Sequence, residues 1–139
     1  MDNSATMQRA YDLLNKGDVD AFGALLADGF VEHDEIPGLT PTKEGVLELF
    51  RGYLASFPDF HMEVAEILPS GDTTVARVTV TGTQDGDFMG LPPSGRSASM
   101  QLIDIMRFDD AGLVCEHWGV ADMLSLLQQL GAIPDVPTE

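Results

Sequence analysis

The sequence predicts an α+β domain in which three N-terminal helices pack on a curved antiparallel sheet, with a short helix at the C-terminal end. Hydrophobic residues follow a helical period up to about residue 57, and alternating, Val- and Thr-rich runs replace it over residues 60–120. Helices segregated from strands along the chain are typical of the α+β class, and such a sheet folded over helices would enclose an apolar cavity. The 139 residues fit one domain, 1–139, with a loose, Pro-rich and acidic tail at 133–139.

The first helix is predicted over residues 5–16, because the apolar positions share one helical face, and Gly17 ends it. Asp18 caps a second short helix that runs through residue 26. Residues 30–34 form a short extended piece, and a loop with two prolines and a glycine follows. The third helix covers about 42–57.

Four long strands are predicted after the helices, at 60–68, 73–84, 97–108 and 113–120. A Gly- and Pro-rich loop, 85–96, separates the second from the third, and a turn at 110–112 joins the last two. Asp122 then caps the final helix and Gly131 ends it.

The chain has 7 Lys and Arg residues against 23 Asp and Glu residues, a net charge of −16. This balance excludes nucleic acid as a partner and disfavours an anionic membrane surface, whereas it suits neutral or cationic substrates. No apolar run is long enough for a membrane span, and no secretory signal is expected. Cys115 is the only cysteine, which rules out an intrachain disulfide and a Cys-based zinc site. A cytoplasmic location is therefore expected.

Strand alternation predicts which side chains face the cavity. On the third long strand, Asp104 shares a face with apolar residues, namely Met100, Leu102, Met106 and Phe108. On the last strand, His117 shares a face with Leu113, Cys115 and Gly119, opposite Val114, Glu116, Trp118 and Val120. The turn pairs the two strands antiparallel, so Asp104 and His117 should be neighbours, and Asp104 should be the only acidic side chain that points into the cavity.

A carboxylate on an apolar face needs a partner, and a neighbouring histidine can supply one. Such a pair can act as a general acid/base set. The alternatives are that the two groups simply satisfy each other, or that they face solvent.

The remaining candidate residues have simpler interpretations. His33 could line the pocket, whereas His61 is expected to be structural or exposed. No metal site is expected, because the histidines form no local ligand pair. Cys115 fits a small buried apolar residue, and Trp118 fits core or interface packing.

Several segments together resemble the SnoaL-like polyketide cyclases, a branch of the NTF2-like cone folds, over about residues 5–134. They are Asn15-Lys16-Gly17-Asp18, Phe57-Pro58-Asp59, Gly82-Thr83, the segment from Gly86 to Arg96, Asp104-Ile105-Met106-Arg107, Glu116-His117-Trp118, Asp122 and Gln129-Leu130-Gly131. The resemblance implies the NTF2-like cone and a cofactor-free enzyme. Characterised cyclases of this kind close rings by an intramolecular aldol condensation on a neutral methyl ester, and relatives hydroxylate polyketides, isomerise steroids or open epoxides.

The resemblance matches His117 to the histidine of the family's last strand and places the catalytic acid/base Asp two positions later, where this chain has Gly119. The family's pocket-facing Gln and His on the long strand match Leu102 and Asp104. We therefore expect Asp104 to replace the missing carboxylate as the catalytic base, with His117 as its partner or as an oxyanion donor.

The expected substrate is a neutral, hydrophobic, cyclic or polyketide-like molecule. No cofactor is expected to take part in the reaction. The expected substrate-binding residues are His33, Phe50, Phe88, Met89, Leu102 and Met106. The loop from Phe88 to Arg96 would form a lid, the pocket mouth or a subunit interface. The resemblance also implies a homodimer, which would cover an apolar sheet face at Ile103, Ile105 and Trp118. A non-catalytic small-molecule binder and a cofactor-free hydroxylase remain alternative functions.

Overall fold

The structure, a computed structural model, describes residues 2–34 and 36–134, which form four helices and five strands. In chain order they are α1 Asn3–Asn15, α2 Val19–Gly23, β1 Leu26–Glu32, α3 Lys43–Ser56, β2 His61–Ser70, β3 Thr73–Thr83, β4 Ser97–Phe108, β5 Val114–Ala121 and α4 Met123–Gln129. The predicted α+β class is confirmed. The predicted loose tail lies largely outside the described residues, at 135–139.

Side-chain caps determine where the helices begin. In each helix, the N-cap side chain accepts a hydrogen bond from a backbone N–H in the first turn. The N-cap residues are Asp2 for α1, Asp18 for α2, Thr42 for α3 and Asp122 for α4. The predicted caps at Asp18 and Asp122 are thereby confirmed. Gly17 and Gly131 follow α1 and α4 with φ of 75° and 79°, a conformation that glycine adopts without steric cost.

The second helix is shorter than predicted. It ends at Gly23, and Leu26, which we expected at its end, begins β1 instead. The predicted short extended piece is therefore a seven-residue strand, Leu26–Glu32. This strand matters for the site because its C-terminal end pairs with β5.

The five strands form one sheet in the order β1-β5-β4-β3-β2. β2 to β5 pair antiparallel, as predicted, whereas β1 adds to β5 in a parallel arrangement. In the parallel pair, Glu32 lies opposite His117, and in the antiparallel pair of β4 with β5, Asp104 lies opposite Gly119. These two registers bring three polar side chains to the inner face.

The pairing of β4 with β5 contains a bulge near the start of β5. Met106 lies opposite His117 and Phe108 lies opposite Val114, so the three residues 106–108 of β4 pair with the four residues 114–117 of β5. One extra residue inverts the alternation of inward and outward side chains. Both Val114 and His117 consequently face the interior.

The prediction that Leu113 and Cys115 share the inner face with His117 was wrong, because the bulge lies between Val114 and Glu116 and inverts the alternation before it. The half-buried Cys115 instead donates a hydrogen bond from Sγ to the carbonyl of Arg107, at 3.4 Å. Burial raises the pKa of its thiol, which disfavours the nucleophilic thiolate. Beyond the bulge the predicted alternation is correct, since Gly119 faces inward as His117 does.

The core lies between α1, the inner face of the sheet and the aromatic side chains of α3. Met7, Tyr11 and Leu14 of α1 are at most 2% exposed, as are Ala76 and Val78 of β3. Within the described residues, no helix is long and apolar enough to cross a membrane.

Candidate active site

An apolar cavity lies between the helices and the concave face of the sheet, with a volume of about 130 Å³. Its wall is built mainly from aliphatic and aromatic side chains of α1, α3, β4 and β5. The lining side chains with ionisable groups are Tyr11, Glu32, Asp34, Tyr53, Asp104 and His117. The described lining includes no Lys or Arg.

Asp104 and His117 form a hydrogen-bonded pair in this region, as the strand alternation predicts. His117 Nε2 lies 2.6 Å from Asp104 Oδ1, and the Asp104 side chain is buried. Tyr11 donates its phenolic O–H to the other carboxylate oxygen, Asp104 Oδ2, at 2.6 Å. Each Asp104 oxygen therefore already has one donor, which leaves further lone pairs for a substrate.

Glu32 binds His117 from the opposite side. His117 Nδ1 lies 2.6 Å from Glu32 Oε2 and 2.8 Å from Oε1, and Glu32 is 7% exposed. Glu32 Oε2 also accepts a hydrogen bond from the backbone N–H of Asp34, at 3.2 Å. The prediction that Asp104 is the only acidic side chain at the cavity was wrong, because Glu32 and Asp34 also line it.

The two carboxylates decide the protonation state of His117. Burial disfavours the imidazolium, but the hydrogen bonds and charges of Asp104 and Glu32 outweigh it and raise the pKa of His117 to about 10. His117 is therefore cationic at neutral pH, and both ring nitrogens donate. Burial and the neighbouring Asp104 raise the pKa of the Tyr11 phenol, which keeps it a neutral donor.

Asp34 lies at the mouth of the cavity, since it is exposed and also lines the wall. Partial burial and the negative charges of Glu32 and Asp104 raise the pKa of its carboxyl group, although His117 opposes them. Burial and Asp34 likewise raise the pKa of the Tyr53 phenol. Asp34 is thus a third carboxyl group that faces the cavity, besides Glu32 and Asp104.

Gly119 leaves the space that the Asp104–His117 pair occupies. A Cβ atom at this position would lie 2.9 Å from His117 Cε1 and 3.1 Å from Asp104 Oδ1. Such separations are shorter than ordinary van der Waals contacts, so a side chain at 119 would displace the pair. The carboxylate that projects from β4 thus occupies the place next to His117 that a side chain from β5 would otherwise take.

Four of the six predicted substrate-binding residues line the cavity, namely Phe50, Phe88, Leu102 and Met106. Met89 does not, since it is 63% exposed at the tip of its loop with a φ of 51°. Phe88 precedes it and is buried, and its ring packs against Phe57 and Tyr53. The loop therefore contributes the Phe88 ring to the wall and turns the Met89 side chain outward.

His33 does not line the cavity either, because it follows Glu32 on β1 and the alternation turns it to the outer face. Its ring stacks on Trp118 at a centroid distance of 4.6 Å, and Nε2 lies 2.7 Å from Glu116 Oε2. Glu116 also accepts from the guanidinium of Arg107. The contacts with Trp118 and Glu116 account for the position of His33, so a role in binding a ligand is not needed to explain it.

Gln84 organises the loop after β3. Its side chain is 1% exposed, and its Nε2 donates to the carbonyls of Gly86 and Leu91 at 3.3 Å and of Pro92 at 3.1 Å. Phe88 and Leu91 exchange two backbone hydrogen bonds within the same loop. The buried amide thus fixes the segment that places Phe88 over the cavity.

Sequence reasoning missed Glu32 and Tyr11, although both leave a signal. Phe30 and Glu32 are two residues apart on a strand, so an inward Phe30 predicts an inward Glu32 and an outward His33. Tyr11 shares the apolar face of α1 with Met7 and Leu14, and its hydroxyl is the group on that face that needs a partner.

Within the part of the chain that the structure describes, no group of three or more His, Cys, Asp or Glu side chains is arranged to hold a metal ion. The polar groups of the cavity instead satisfy one another in the order Tyr11, Asp104, His117 and Glu32. Such a buried, fully hydrogen-bonded series fits proton transfer by side chains.

Comparison with known proteins finds a matching family and several similar solved structures. The family model described as SnoaL-like polyketide cyclase matches residues 5–130. AclR from Streptomyces galilaeus, for which a hydroxylase activity has been suggested, is 33% identical with a TM-score of 0.85, over 97% of this chain and 84% of AclR. IdmH from Streptomyces antibioticus, for which a polyketide cyclase activity has been suggested, is 34% identical with a TM-score of 0.81, over 94% and 99% of the two chains. TsrD from Streptomyces laurentii is 32% identical with a TM-score of 0.82, over 93% and 97%. Among curated proteins, no sequence matches this chain.

Proposed function

Because the chain belongs to the SnoaL-like polyketide cyclase family, we propose that it is a cofactor-independent enzyme that acts by acid/base chemistry on a neutral, hydrophobic, cyclic or polyketide-like molecule. The observation that carries this proposal is the buried Asp104 carboxylate, which lies in an apolar cavity within 2.6 Å of His117 Nε2. A base held in such surroundings is poorly solvated, and this strengthens its interaction with an acidic C–H group.

In the proposed mechanism, Asp104 removes a proton from a carbon next to a substrate carbonyl. The C–H electron pair moves into the new C=C bond, and the carbonyl oxygen becomes an enolate oxygen. In a cyclase, the enolate carbon then attacks a second carbonyl of the same molecule, and the resulting alkoxide takes up the proton. Tyr11 and His117 hold the Asp104 carboxylate in place, because each donates a hydrogen bond to one of its two oxygens.

The close contact at Gly119 supports Asp104 as the base. The family resemblance expects a carboxylate at position 119, two residues after His117 on β5. Asp104 is the direct cross-strand partner of Gly119, and its Oδ1 lies 3.1 Å from the point where a Cβ at 119 would be. A carboxylate that comes from β4 therefore reaches almost the same point as one from β5, and the glycine makes room for it.

The charge of the cavity supports a neutral substrate. With both carboxylates ionised, Glu32 and Asp104 contribute two negative charges and the His117 imidazolium contributes one positive charge. Asp34 adds further negative potential at the mouth, and no described Lys or Arg lines the cavity to bind a carboxylate. An esterified or otherwise uncharged substrate avoids this repulsion.

The first test measures enolisation with 2-tetralone, a neutral aromatic ketone, as the probe. We expect the wild-type protein to accelerate exchange of the α-protons for deuterium in D₂O, followed by ¹H NMR. Asp104→Asn keeps the shape but removes the base, so exchange should fall by at least about 100-fold, a typical contribution of one general base. Asp110→Asn, in an exposed turn, is the matched control and should exchange like wild type. A fully active Asp104→Asn variant would show that another group is the base.

Two alternatives are supported by separate observations. Both Asp104 oxygens already have donors, which suits a protein that binds a small molecule without converting it. The similarity to AclR suits a hydroxylase that consumes O₂. Binding of 2-tetralone without exchange would favour the former, and oxygen uptake with an anthrone would favour the latter.

We also propose that the protein is a homodimer in the cytoplasm. The outer face of the sheet exposes Ile103, Trp118 and Val120 at 42%, 37% and 76%, an apolar surface that a second copy could cover. A monomeric mass by light scattering would contradict the dimer.

A further inference from the structure

We propose that Glu32 is a positioning residue that keeps His117 doubly protonated, so that His117 acts as a fixed hydrogen-bond donor and Asp104 is left as the proton acceptor. This inference rests on the proposed function only in naming Asp104 as the base. The protonation state of His117 is a property of the free protein and can be measured without any substrate.

The contacts of Glu32 are those of a residue dedicated to His117. Both carboxylate oxygens lie within 2.8 Å of Nδ1, and the remaining hydrogen bond of Glu32 is with the backbone N–H of Asp34. Glu32 is 7% exposed and has no Lys or Arg partner among the described ion pairs. A buried carboxylate is costly unless a cation compensates it, and the His117 imidazolium is the cation in reach.

The strand register places Glu32 where it can act. Glu32 and His117 lie opposite each other in the parallel pair of β1 and β5, and the backbone N–H of His33 donates to the His117 carbonyl at 2.9 Å. This backbone hydrogen bond fixes both side chains on the same inner face. His117 therefore cannot turn its Nδ1 away from Glu32 without also breaking its contact with Asp104.

A neutral His117 would leave the roles in the cavity undecided. A single ring proton would be shared between two carboxylates, and whichever nitrogen lacked it would present a lone pair to an anion. That nitrogen could also take a proton in place of Asp104. With Glu32 present, both ring positions are donors, and the acceptor that remains beside the cavity is the Asp104 carboxylate.

The groups that face His117 from each neighbouring element support the same charge state. Glu32 of β1 and Asp104 of β4 contact its ring, Asp34 lies in the segment after β1, and Tyr11 of α1 donates to Asp104. Tyr11 is neutral and the other three are acidic. The adjacent side chains on β5 turn outward, away from this cluster.

The experiment follows the imidazole ¹⁵N signals of His117 in labelled protein between pH 5 and pH 11, with assignment by His117→Gln. In wild type we expect both nitrogens to stay protonated to at least pH 8.5. In Glu32→Gln, which keeps the shape but removes the charge, we expect the midpoint to fall by more than one pH unit. Wild-type His117 that titrates near its ordinary pKa of about 6.5 would overturn the proposal whether or not the variant folds.

The outer face of the same two strands offers a matched control. Glu116 lies 2.7 Å from His33 Nε2, so Glu116→Gln also removes a carboxylate from a His–Glu pair between β1 and β5. It should leave the His117 midpoint unchanged. An equal shift in both variants would show a general charge effect and would also overturn the proposal.

Exchange of 2-tetralone then separates this inference from the proposed function. The inference predicts that Glu32→Gln changes the pH profile of the exchange rate while Asp104→Asn abolishes exchange at every pH. If wild type catalyses no exchange, the proposed function fails, and the ¹⁵N titration still decides the role of Glu32.

Discussion

At the residue scale, Gly119 limits what the site can contain. Its place beside the buried pair requires the absence of a side chain, because an added Cβ would lie 2.9 Å from the His117 ring. The requirement is steric rather than conformational, since Gly119 does not have a positive φ. The smallest possible side chain therefore tests how tightly the pair is held.

We predict that Gly119→Ala lowers the free energy of unfolding by about 1–3 kcal/mol, the usual cost of overfilling a packed interior. The added methyl group should push His117 away from Asp104, so 2-tetralone exchange should fall together with stability. Urea denaturation and the exchange assay measure the two effects.

Gly29→Ala is the control for this prediction. Gly29 lies on β1, and a Cβ there would contact nothing within 4 Å. Its stability should stay within about 0.5 kcal/mol of wild type. A Gly119→Ala variant as stable and active as this control would show that the pair has room to move.

The sequence permitted prediction of Asp104 and His117 because both lie on strands whose alternation can be read directly. Glu32 was missed and His33 was chosen instead, although the same alternation on β1 distinguishes them. The predicted extended piece began at residue 30, whereas β1 begins at Leu26, and its alternation was not used. Histidine also attracts attention as an acid/base group, whereas here the outward ring stacks on Trp118.

At the scale of elements, the bulge in β5 shows what strand alternation cannot predict. The extra residue is defined by the pairing with β4, where Phe108 lies opposite Val114 and Met106 opposite His117. The sequence of β5 alone does not show how many residues of β4 pair with it, so it does not reveal the extra residue. The alternation was therefore correct from Glu116 onward and inverted before it.

The loop of residues 85–96 depends on the buried amide of Gln84. We predict that Gln84→Met lowers the free energy of unfolding by about 1–3 kcal/mol, because three carbonyl groups lose their shared donor. The backbone amides of Phe88 and Leu91 should then exchange with deuterium faster, as their mutual hydrogen bonds loosen. Hydrogen–deuterium exchange by NMR measures both amides.

Gln101→Met provides the comparison, because Gln101 is exposed and its side chain makes one hydrogen bond, to Thr79. Its effect should be close to zero.

The loop also bears on substrate size, since a cavity of about 130 Å³ is similar to one that holds a single benzene ring. A larger ligand requires the wall to open, and exchange at Phe88 that did not change in Gln84→Met would argue against this loop as the moving part.

At the scale of the whole molecule, the net charge of −16 and the buried charges have different roles. Most acidic side chains lie on the surface, where they repel anions and interact weakly with one another. Among the acidic side chains that the structure describes, Glu32 and Asp104 are the buried ones, and the His117 imidazolium lies between them. The stability of the fold should therefore depend on the proton of His117 more than on any surface group.

We predict that the free energy of unfolding falls as the pH rises from about 6.5 to about 10. The folded pKa of His117 is raised to about 10, whereas the unfolded value is the ordinary one of about 6.5. Between these values the folded state binds the proton and the unfolded state does not, so each rise in pH favours unfolding. Below about pH 6.5 both states are protonated, and the stabilisation from His117 is fully present.

Urea denaturation at pH 6, 7.5 and 9 measures the trend. In Glu32→Gln the fall should end at a lower pH and be smaller overall, since its folded His117 releases the proton earlier, while Glu116→Gln should follow wild type. Parallel curves for wild type and Glu32→Gln would assign the pH dependence to surface charge and not to the buried histidine.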